Sequence, residues 1–264
     1  MRFYFERDYL KGHAAGQHDK NKNLQKDIEG GQTMGIVTIL PETTRNPITL
    51  IGKMAGVCVS ADTTDDEKNY KRGWDCITSG HGRTFEFPDV YMDLDGYSAR
   101  VMREWYTHIG GMPTRLQAST RYIDYGEFEY VTPKSVMDAG VDAVGLYESC
   151  MRTIANTVRL LETEDKVPRE DAAMLLPLGM TTRIVCKHNA RNLIDMSRQR
   201  ECEKAYWEYR DLFRDLKLAL ANYSEEWARL VAKTMHPKCV ELGYCTEKRG
   251  CGRYPKRDSE QEAI

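Results

Sequence analysis

Two clusters of polar residues stand in otherwise apolar helical contexts, and they are the part of the sequence that could carry chemistry. An arginine beside serine and backbone amides after a glycine-rich break suits a phosphate or carboxylate, because the guanidinium fork bonds two oxygens at once. These residue types are therefore compatible with an anion-binding site. The first cluster covers residues 103–108 and 117–122, and the second covers Thr182-Arg183, 189–193, Arg198 and Arg200.

The three arginines of the second cluster, Arg191, Arg198 and Arg200, share one helical segment and permit a plainer interpretation. They also fit a solvated helix face, and spacing alone favours that interpretation because charge runs are common on surfaces. The residue pattern by itself leaves both interpretations open. On the solvated face the ion-pair partners would be Glu201, Glu203 and Glu208.

Motifs with well-known chemistry are missing from the sequence. No Gly-x-Gly-x-x-Gly opens a strand-to-helix turn, which argues against a Rossmann dinucleotide site. There is also no Gly-x-x-x-x-Gly-Lys-Ser/Thr, no His-Glu-x-x-His and no Gly-x-Ser-x-Gly elbow. Motif reading alone therefore does not reach a function.

Composition sets broad limits on the kind of protein. The 264 residues are 41% hydrophobic and 30% charged, with a net charge of -2, so no global basic field exists for nucleic acid. No apolar run approaches the roughly 20 residues that span a bilayer. The first residues are charged and lack the apolar stretch of a signal peptide, so we expect a cytoplasmic protein with eight reduced cysteines.

Hydrophobic periodicity predicts a mixture of strands and helices without a repeating βαβ pattern, so the expected fold class is α+β, a mixed sheet with long helices. Gly96 should end the second strand. The strands are predicted at 36–40, 90–95, 128–131 and 182–186. The helices are predicted at 47–59, 65–79, 98–108 and 135–164, from Pro168, from Ala190, and through 208 to about 234. The stripe expected to be buried on helix 135–164 includes Val136, Ala139, Ala143, Leu146, Cys150, Ile154 and Val158.

Composition shifts divide the chain into three parts. Residues 1–33 are expected to be a flexible N-terminal extension or insertion, 34–235 a single domain, and 236–264 a polar tail. The tail carries Cys239, Cys245 and Cys251 at equal spacing beside His236. A zinc site is conceivable there, but structural zinc ligands usually come in pairs two to four residues apart, so we expect a loosely packed thiol-bearing tail and no metal.

Six short pieces in a fixed order give the sequence a family resemblance. Each piece is weak alone, but the order and spacing over residues 48–215 resemble the flavin-dependent thymidylate synthases. The pieces are Ser-Gly-His (79–81), Arg-x-Trp-x-x-His (103–108), Ser-x-Arg-Tyr (119–122), Phe-Glu-Tyr-Val-x-Pro (128–133), Glu-Asp-Ala-x-x-Leu-Leu-Pro (170–177), and Asn-Ala-Arg-x-Leu with Arg200 and Trp-Glu (189–208).

The resemblance implies an enzyme that methylates C5 of dUMP to give dTMP. FAD would be its cofactor, with NADPH and methylenetetrahydrofolate as co-substrates, in a homotetramer with shared active sites. It implies that Arg200 is catalytic, facing the pyrimidine O2 and N3 and stabilising negative charge on the ring. The implied nucleotide-binding residues are Glu104, Gln117, Ser119, Thr120, Arg121 and Arg200. The implied flavin-binding residues are His81, His108, Gln117, Asn189, Ala190, Arg191 and Asp195.

The sequence departs from the family pattern at positions that should touch ligands. Thr107 and Ile109 replace two arginines, Glu104 replaces a glutamine, and Ala173 replaces an arginine that helps to clamp the phosphate, for which Arg115 could compensate. One explanation is an enzyme with another substrate, such as UMP or dCMP, or with a hydroxymethyl product. The other is a non-catalytic nucleotide-binding relative. Retention of several buried arginines favours an enzyme.

Overall fold

The computed structural model describes residues 35–257, so the predicted N-terminal extension lies outside the described part. A four-stranded antiparallel sheet with strand order β1-β2-β4-β3 forms the centre of the fold. Its strands are β1 (Ile36–Ile39), β2 (Asp89–Ser98), β3 (Thr114–Gln117) and β4 (Thr181–Asn189). Together with the helices this confirms the α+β class, but the expectation of a mixed sheet is wrong, because all three strand pairings are antiparallel. The division into three parts stays a prediction.

Helices pack on the sheet and supply most of the core. They are α1 (Pro47–Gly56), α2 (Asp66–Thr78), α3 (Ala99–Trp105), α4 (Lys134–Asp138), α5 (Val141–Thr163), α6 (Arg169–Ala172), α7 (Ala190–Arg200), α8 (Trp207–Tyr223), α9 (Glu225–Thr234) and α10 (Lys238–Leu242). No helix within residues 35–257 is long and apolar enough to cross a membrane.

The alternation expected in β2 places one face of the sheet in the core. Val90, Met92 and Leu94 are fully buried, and they lie opposite His188, Cys186 and Ile184 of β4. Trp105 of α3 joins the same core cluster, as do Tyr209 and Phe213 of α8. The two long central strands therefore fix where α3 and α7 begin, because each helix starts directly after one of them.

A close helix crossing depends on two glycines. A Cβ on Gly73 of α2 would lie 1.9 Å from the carbonyl oxygen of Ile48 in α1, and one on Gly52 would lie 1.8 Å from the carbonyl oxygen of Asn69. No side chain fits at such distances, so α1 and α2 can approach only because these positions lack one.

Two predicted strands differ from the structure. Gly96 does not end β2, because its positive φ of 79° accommodates an irregularity in the pairing with β4, and the strand continues to Ser98. Residues 128–131 do not form a strand. Tyr130 makes only an isolated bridge to Met180, since the chain turns away towards Pro133.

The two longest predicted helices are each broken. Gly140, with φ of 102°, separates α4 from α5, and Ser224 separates α8 from α9 while accepting a hydrogen bond from the Trp227 amide. The predicted apolar stripe on α5 is only partly buried. Leu146 is 76% exposed, whereas Val158 is 1% exposed, so part of this face lacks a partner among the described residues.

Candidate functional site

Arg200, the last residue of α7, is the centre of a polar cluster at the end of α3. Its Nη1 donates to Glu104 Oε2 at 2.7 Å, its Nε to His108 Nε2 at 2.9 Å, and its Nη2 to Thr107 Oγ1 at 3.4 Å. The guanidinium carbon lies 4.9 Å from the Tyr209 ring centroid. Contacts on three edges and one face hold the guanidinium in a single orientation.

The environment keeps His108 uncharged. Burial, and then the positive charges of Arg200 and Arg115, lower the pKa of His108 from 6.5 to about 4. Because a guanidinium can only donate, the Nε2 atom that faces Arg200 must be the unprotonated nitrogen. At neutral pH the proton of His108 is therefore on Nδ1, and the ring offers a donor there.

A buried network behind this cluster connects α3 with α7. Trp105 Nε1 donates to His188 Nε2 at 3.1 Å, and His188 Nδ1 faces Asn192 Oδ1. Burial lowers the pKa of His188 to about 4, so the ring is neutral and donates from Nδ1. The Asn189 side chain accepts from the Asn192 amide at 2.9 Å and so caps α7. Neutral His188 thus aligns the helices that carry Glu104 and Arg200.

A cavity of about 610 Å³ lies along α7 and is lined by helix residues from Arg191 to Arg198. Two of the residues predicted to bind flavin, Arg191 and Asp195, line this cavity. Gly80 and Gly82, the neighbours of the predicted His81, line it as well. Arg191 pairs with Glu86 at 2.5 Å. The rest of the wall mixes apolar, polar and charged side chains, and consists of Ile77, Thr78, Phe85, Ile194, Arg198, Lys233, Thr234, His236, Val240 and Glu241.

The other two residues predicted for flavin in this segment have structural contacts. Asn189 is 8% exposed and caps α7, and Ala190 is 1% exposed, with its amide donating to the Pro88 carbonyl at 2.9 Å. They fix the start of α7, and Arg191 is the residue of this run that reaches the cavity.

The predicted nucleotide residues of β3 and the following loop form a third group. Gln117 donates to Thr182 Oγ1 at 3.3 Å, and Ser119 Oγ accepts from the Arg121 amide at 3.2 Å. Thr120, which lies between Ser119 and Arg121 in the sequence, is half-buried. Arg121 is exposed, with its guanidinium 5.2 Å from the Tyr122 ring centroid, and so could reach an external ligand.

The structure therefore brings the predicted residues together in three groups rather than one. Arg200 meets Glu104 and His108, whereas Arg191 and Asp195 share a cavity with the turn around His81. Arg191 and Arg200 are nine positions apart on α7, which corresponds to a rise of about 14 Å. Within residues 35–257, the side chains of the loop with Arg121 make no hydrogen bond or ion pair to either group.

Sequence reasoning missed two neighbours of Arg200. Tyr209 is fully buried beneath its guanidinium, and its hydroxyl has no hydrogen-bond partner among residues 35–257. The Thr107 hydroxyl accepts a hydrogen bond from Arg200, whereas the sequence pattern indicates only that this position departs from the family. Tyr209 directly follows the Trp-Glu of the last motif, but nothing in the local pattern distinguishes it from a core tyrosine.

Comparison with known proteins identifies the family. The family model of the thymidylate synthase complementing protein matches residues 39–222. A flavin-dependent thymidylate synthase from Nitratidesulfovibrio vulgaris is 31% identical over 192 residues, which cover 69% of this chain and 76% of that protein. The chain belongs to the flavin-dependent thymidylate synthase family.

Two further members of this family support the match over a greater length. The flavin-dependent thymidylate synthase of Clostridium tetani is 26% identical over 246 residues, covering 84% of this chain and 96% of that protein. The Helicobacter pylori flavin-dependent thymidylate synthase, whose crystal structure contains FAD and dUMP, has a similar fold. Its TM-score is 0.58 at 20% identity, covering 74% of this chain and 99% of that chain.

Positions that depart from the flavin-dependent thymidylate synthase pattern are visible in the structure. Thr107 and Ile109, where the resemblance expects arginines, lie in the turn after α3, and Ile109 is 74% exposed. Ala173 is half-buried in a 3₁₀ turn after α6. Arg115, considered as a substitute for the phosphate clamp, instead donates to main-chain carbonyls at the His108 turn.

The tail lies beyond the part that matches the flavin-dependent thymidylate synthase model. It is fastened to the loop after Arg200, because Arg253 Nη2 donates to Glu203 Oε1 at 2.7 Å. Within residues 35–257 no group of three or more His, Cys, Asp or Glu residues could hold a metal ion. Four unpaired cysteines, Cys202, Cys239, Cys245 and Cys251, line a second cavity of about 500 Å³ there.

Proposed function

We propose that this protein methylates C5 of dUMP to produce dTMP, using FAD as cofactor and methylenetetrahydrofolate and NADPH as co-substrates. Family membership supports the reaction class. The observation that carries the proposal is the fixed guanidinium of Arg200, held by Glu104, His108 and Tyr209 at a partly open site. The two departures at 107 and 109 leave this arrangement intact.

Arg200 would act on the pyrimidine ring. Of the five N–H donors of a guanidinium, three point to Glu104, His108 and Thr107 in the described structure, which leaves two for a ligand. Donors that are already oriented stabilise charge developing on ring oxygens without reorganisation. The Arg200 side chain is 23% exposed, so it is accessible yet mostly shielded from solvent screening.

The cavity beside Arg191 fits part of a flavin dinucleotide. Ile77, Phe85 and Ile194 offer apolar surface for a ring system, and Arg191 and Lys233 offer positive charge for phosphates. The space beside Gly80 is open for a ligand, because a Cβ built there would meet no atom within 4 Å. When bound, reduced FAD would supply the hydride of the methylation reaction.

A homotetramer with shared active sites would unite the three groups of predicted residues, which lie apart in one chain. Exposed apolar side chains support this assembly, since large apolar surfaces usually mark interfaces. Arg121 on one copy could then bind the phosphate of a nucleotide whose ring meets Arg200 of another. The exposed side chains include Leu116, Val141, Leu146, Met174 and Leu178.

Tritium release from C5-labelled nucleotides tests the proposal. The assay is run with methylenetetrahydrofolate and reduced FAD for dUMP, UMP and dCMP separately. Arg200→Ala should lower kcat for dUMP by about 10²–10³, the usual effect of removing one preorganised donor. Arg121→Ala should mainly raise KM, because a phosphate contact acts equally on ground and transition states.

Arg229→Ala is the matched control, because Arg229 also packs over a tyrosine ring but lies on α9 beside Tyr70. It should keep wild-type kinetics. If tritium is released from UMP or dCMP but not from dUMP, the proposed reaction stands and its substrate is the other nucleotide. If no nucleotide releases tritium, yet one binds and needs Arg121, the protein is a nucleotide-binding relative without this activity.

A further inference from the structure

His108 is held by two arginines that come from different elements. Arg200 of α7 donates from Nε to the imidazole Nε2 at 2.9 Å. Arg115 of β3 donates from Nη2 to the main-chain carbonyl of His108 and from Nη1 to that of Tyr106 at 3.4 Å. One arginine thus fixes the ring, and the other fixes the backbone that carries it.

The turn that contains His108 needs such a restraint. It follows the end of α3 and contains Gly110, Gly111 and Met112, the last two with positive φ values of 73° and 51°. The side chains of Ile109 and Met112 are 74% and 90% exposed, so they contribute little packing. Hydrogen bonds to the turn carbonyls therefore matter more than side-chain burial for its conformation.

Arg115 is well placed to supply that restraint. Its guanidinium carbon lies 5.1 Å from the Tyr106 ring centroid, and its β3 position pairs with Cys186 of the central strand β4. Burial lowers the pKa of Arg115, while its Nε has no hydrogen-bond partner among the described residues. A cation that is partly desolvated in this way is held by the two carbonyls and the ring, and it connects the turn rigidly to the sheet.

We propose that Arg115 is a positioning residue that holds the His108 turn, and with it the imidazole that accepts from Arg200, in the conformation that the reaction needs. The proposal rests on the methylation function proposed above. Its effect on the reaction is exerted through His108 rather than by contact with the nucleotide.

Arg115→Lys tests the proposal, because lysine keeps the charge but cannot bond two carbonyls as a fork. We expect kcat to fall by about 10- to 100-fold, since small misplacements of catalytic groups cost about that much. The KM for dUMP should stay within about twofold, because a group that acts through His108 leaves uniform nucleotide binding unchanged. Arg115→Gln, which keeps one donor without the charge, should show a comparable loss. Arg229→Lys is the control and should keep wild-type kcat.

A second readout needs no substrate. Histidine-selective ¹⁵N NMR at pH 7 should show His108 in the wild type as one neutral tautomer with the proton on Nδ1. Arg115→Lys should broaden that signal or mix the tautomers, whereas Arg229→Lys should leave it unchanged. Wild-type kcat in Arg115→Lys and Arg115→Gln, or a loss of kcat with an unchanged His108 signal, would overturn the positioning role.

The two readouts also separate this inference from the proposed function. A wild-type protein that releases no tritium from any nucleotide would refute the methylation reaction, but the His108 signal would still report whether Arg115 fixes the turn. If Arg115→Lys loses its fold, Arg115→Gln is measured in the same way, and an unchanged signal there overturns the inference.

Discussion

Acidification should destabilise the fold through His188, whose imidazole is fully buried between α3 and α7. Its Nε2 accepts from Trp105 Nε1 at 3.1 Å, so a proton added there would place two donors face to face. Its Nδ1 already donates to Asn192 Oδ1. The folded protein therefore resists protonation of this ring, whereas the unfolded chain does not.

The size of the effect follows from the pKa difference. Burial lowers the pKa of His188 from 6.5 to about 4, so the folded state binds the proton less readily than the unfolded state between those values. Stability is unaffected above pH 6.5 and is lost as the pH falls from 6.5 towards 4. Linkage gives a loss of about 2 kcal/mol at pH 5 and about 3 kcal/mol at pH 4.

Urea unfolding of the wild type and of His188→Gln between pH 8 and 4.5 measures this loss. The free energy of unfolding must be compared between the two proteins at each pH, because other groups also titrate. Burial raises the pKa of the Glu201, Glu208 and Asp215 carboxyls, so their protonation favours the folded state as the pH falls, opposite to the effect of His188. His188→Gln should be less stable at pH 8 by about 1–3 kcal/mol, the cost of disrupting a buried hydrogen bond. Between pH 8 and pH 5, the free energy of unfolding of His188→Gln should fall by about 2 kcal/mol less than that of the wild type. Parallel curves would refute the assigned protonation state.

Three further predictions concern the cofactor, the assembly and the helix crossing. FAD titrated into apoprotein and followed by fluorescence should bind, but more weakly than in relatives with both arginines, by about 1.5–3 kcal/mol for each lost contact; indifference at high micromolar FAD would exclude a flavoenzyme. Light scattering should show a closed oligomer, most simply a tetramer, and a stable monomer would contradict shared sites. Gly73→Ala should cost about 3 kcal/mol or more by thermal unfolding, because its Cβ would overlap the Ile48 carbonyl. Gly145→Ala, whose Cβ meets no atom within 4 Å, should instead stabilise α5 by about 0.5–1 kcal/mol.

Elements with strong local signals were predicted well from the sequence. Residues 47–59 and 65–79 have helical spacing, and in the structure Asp65 caps the second of these helices by accepting from the Lys68 amide at 3.1 Å. Residues 90–95 alternate with the period of a strand that is buried on one face. Errors occurred where one residue decided the outcome. Gly140 and Ser224 divide helices whose apolar periodicity continues across them, because backbone conformation and capping override periodicity there.

For the site, the sequence by itself determined the family and which residues are candidates for the chemistry, because the motifs preserve residue type and spacing along the chain. It could not determine which of these residues meet. Glu104 and Arg200 are 96 residues apart in the sequence, yet they form a hydrogen bond at 2.7 Å. They meet because β2 and β4 pair in the sheet, so that α3 and α7, which directly follow these strands, begin close together. Tyr209 and Arg115 join them from two further elements. Local patterns report local backbone preferences, whereas contacts between distant segments depend on strand register and core packing, which the tertiary structure alone decides.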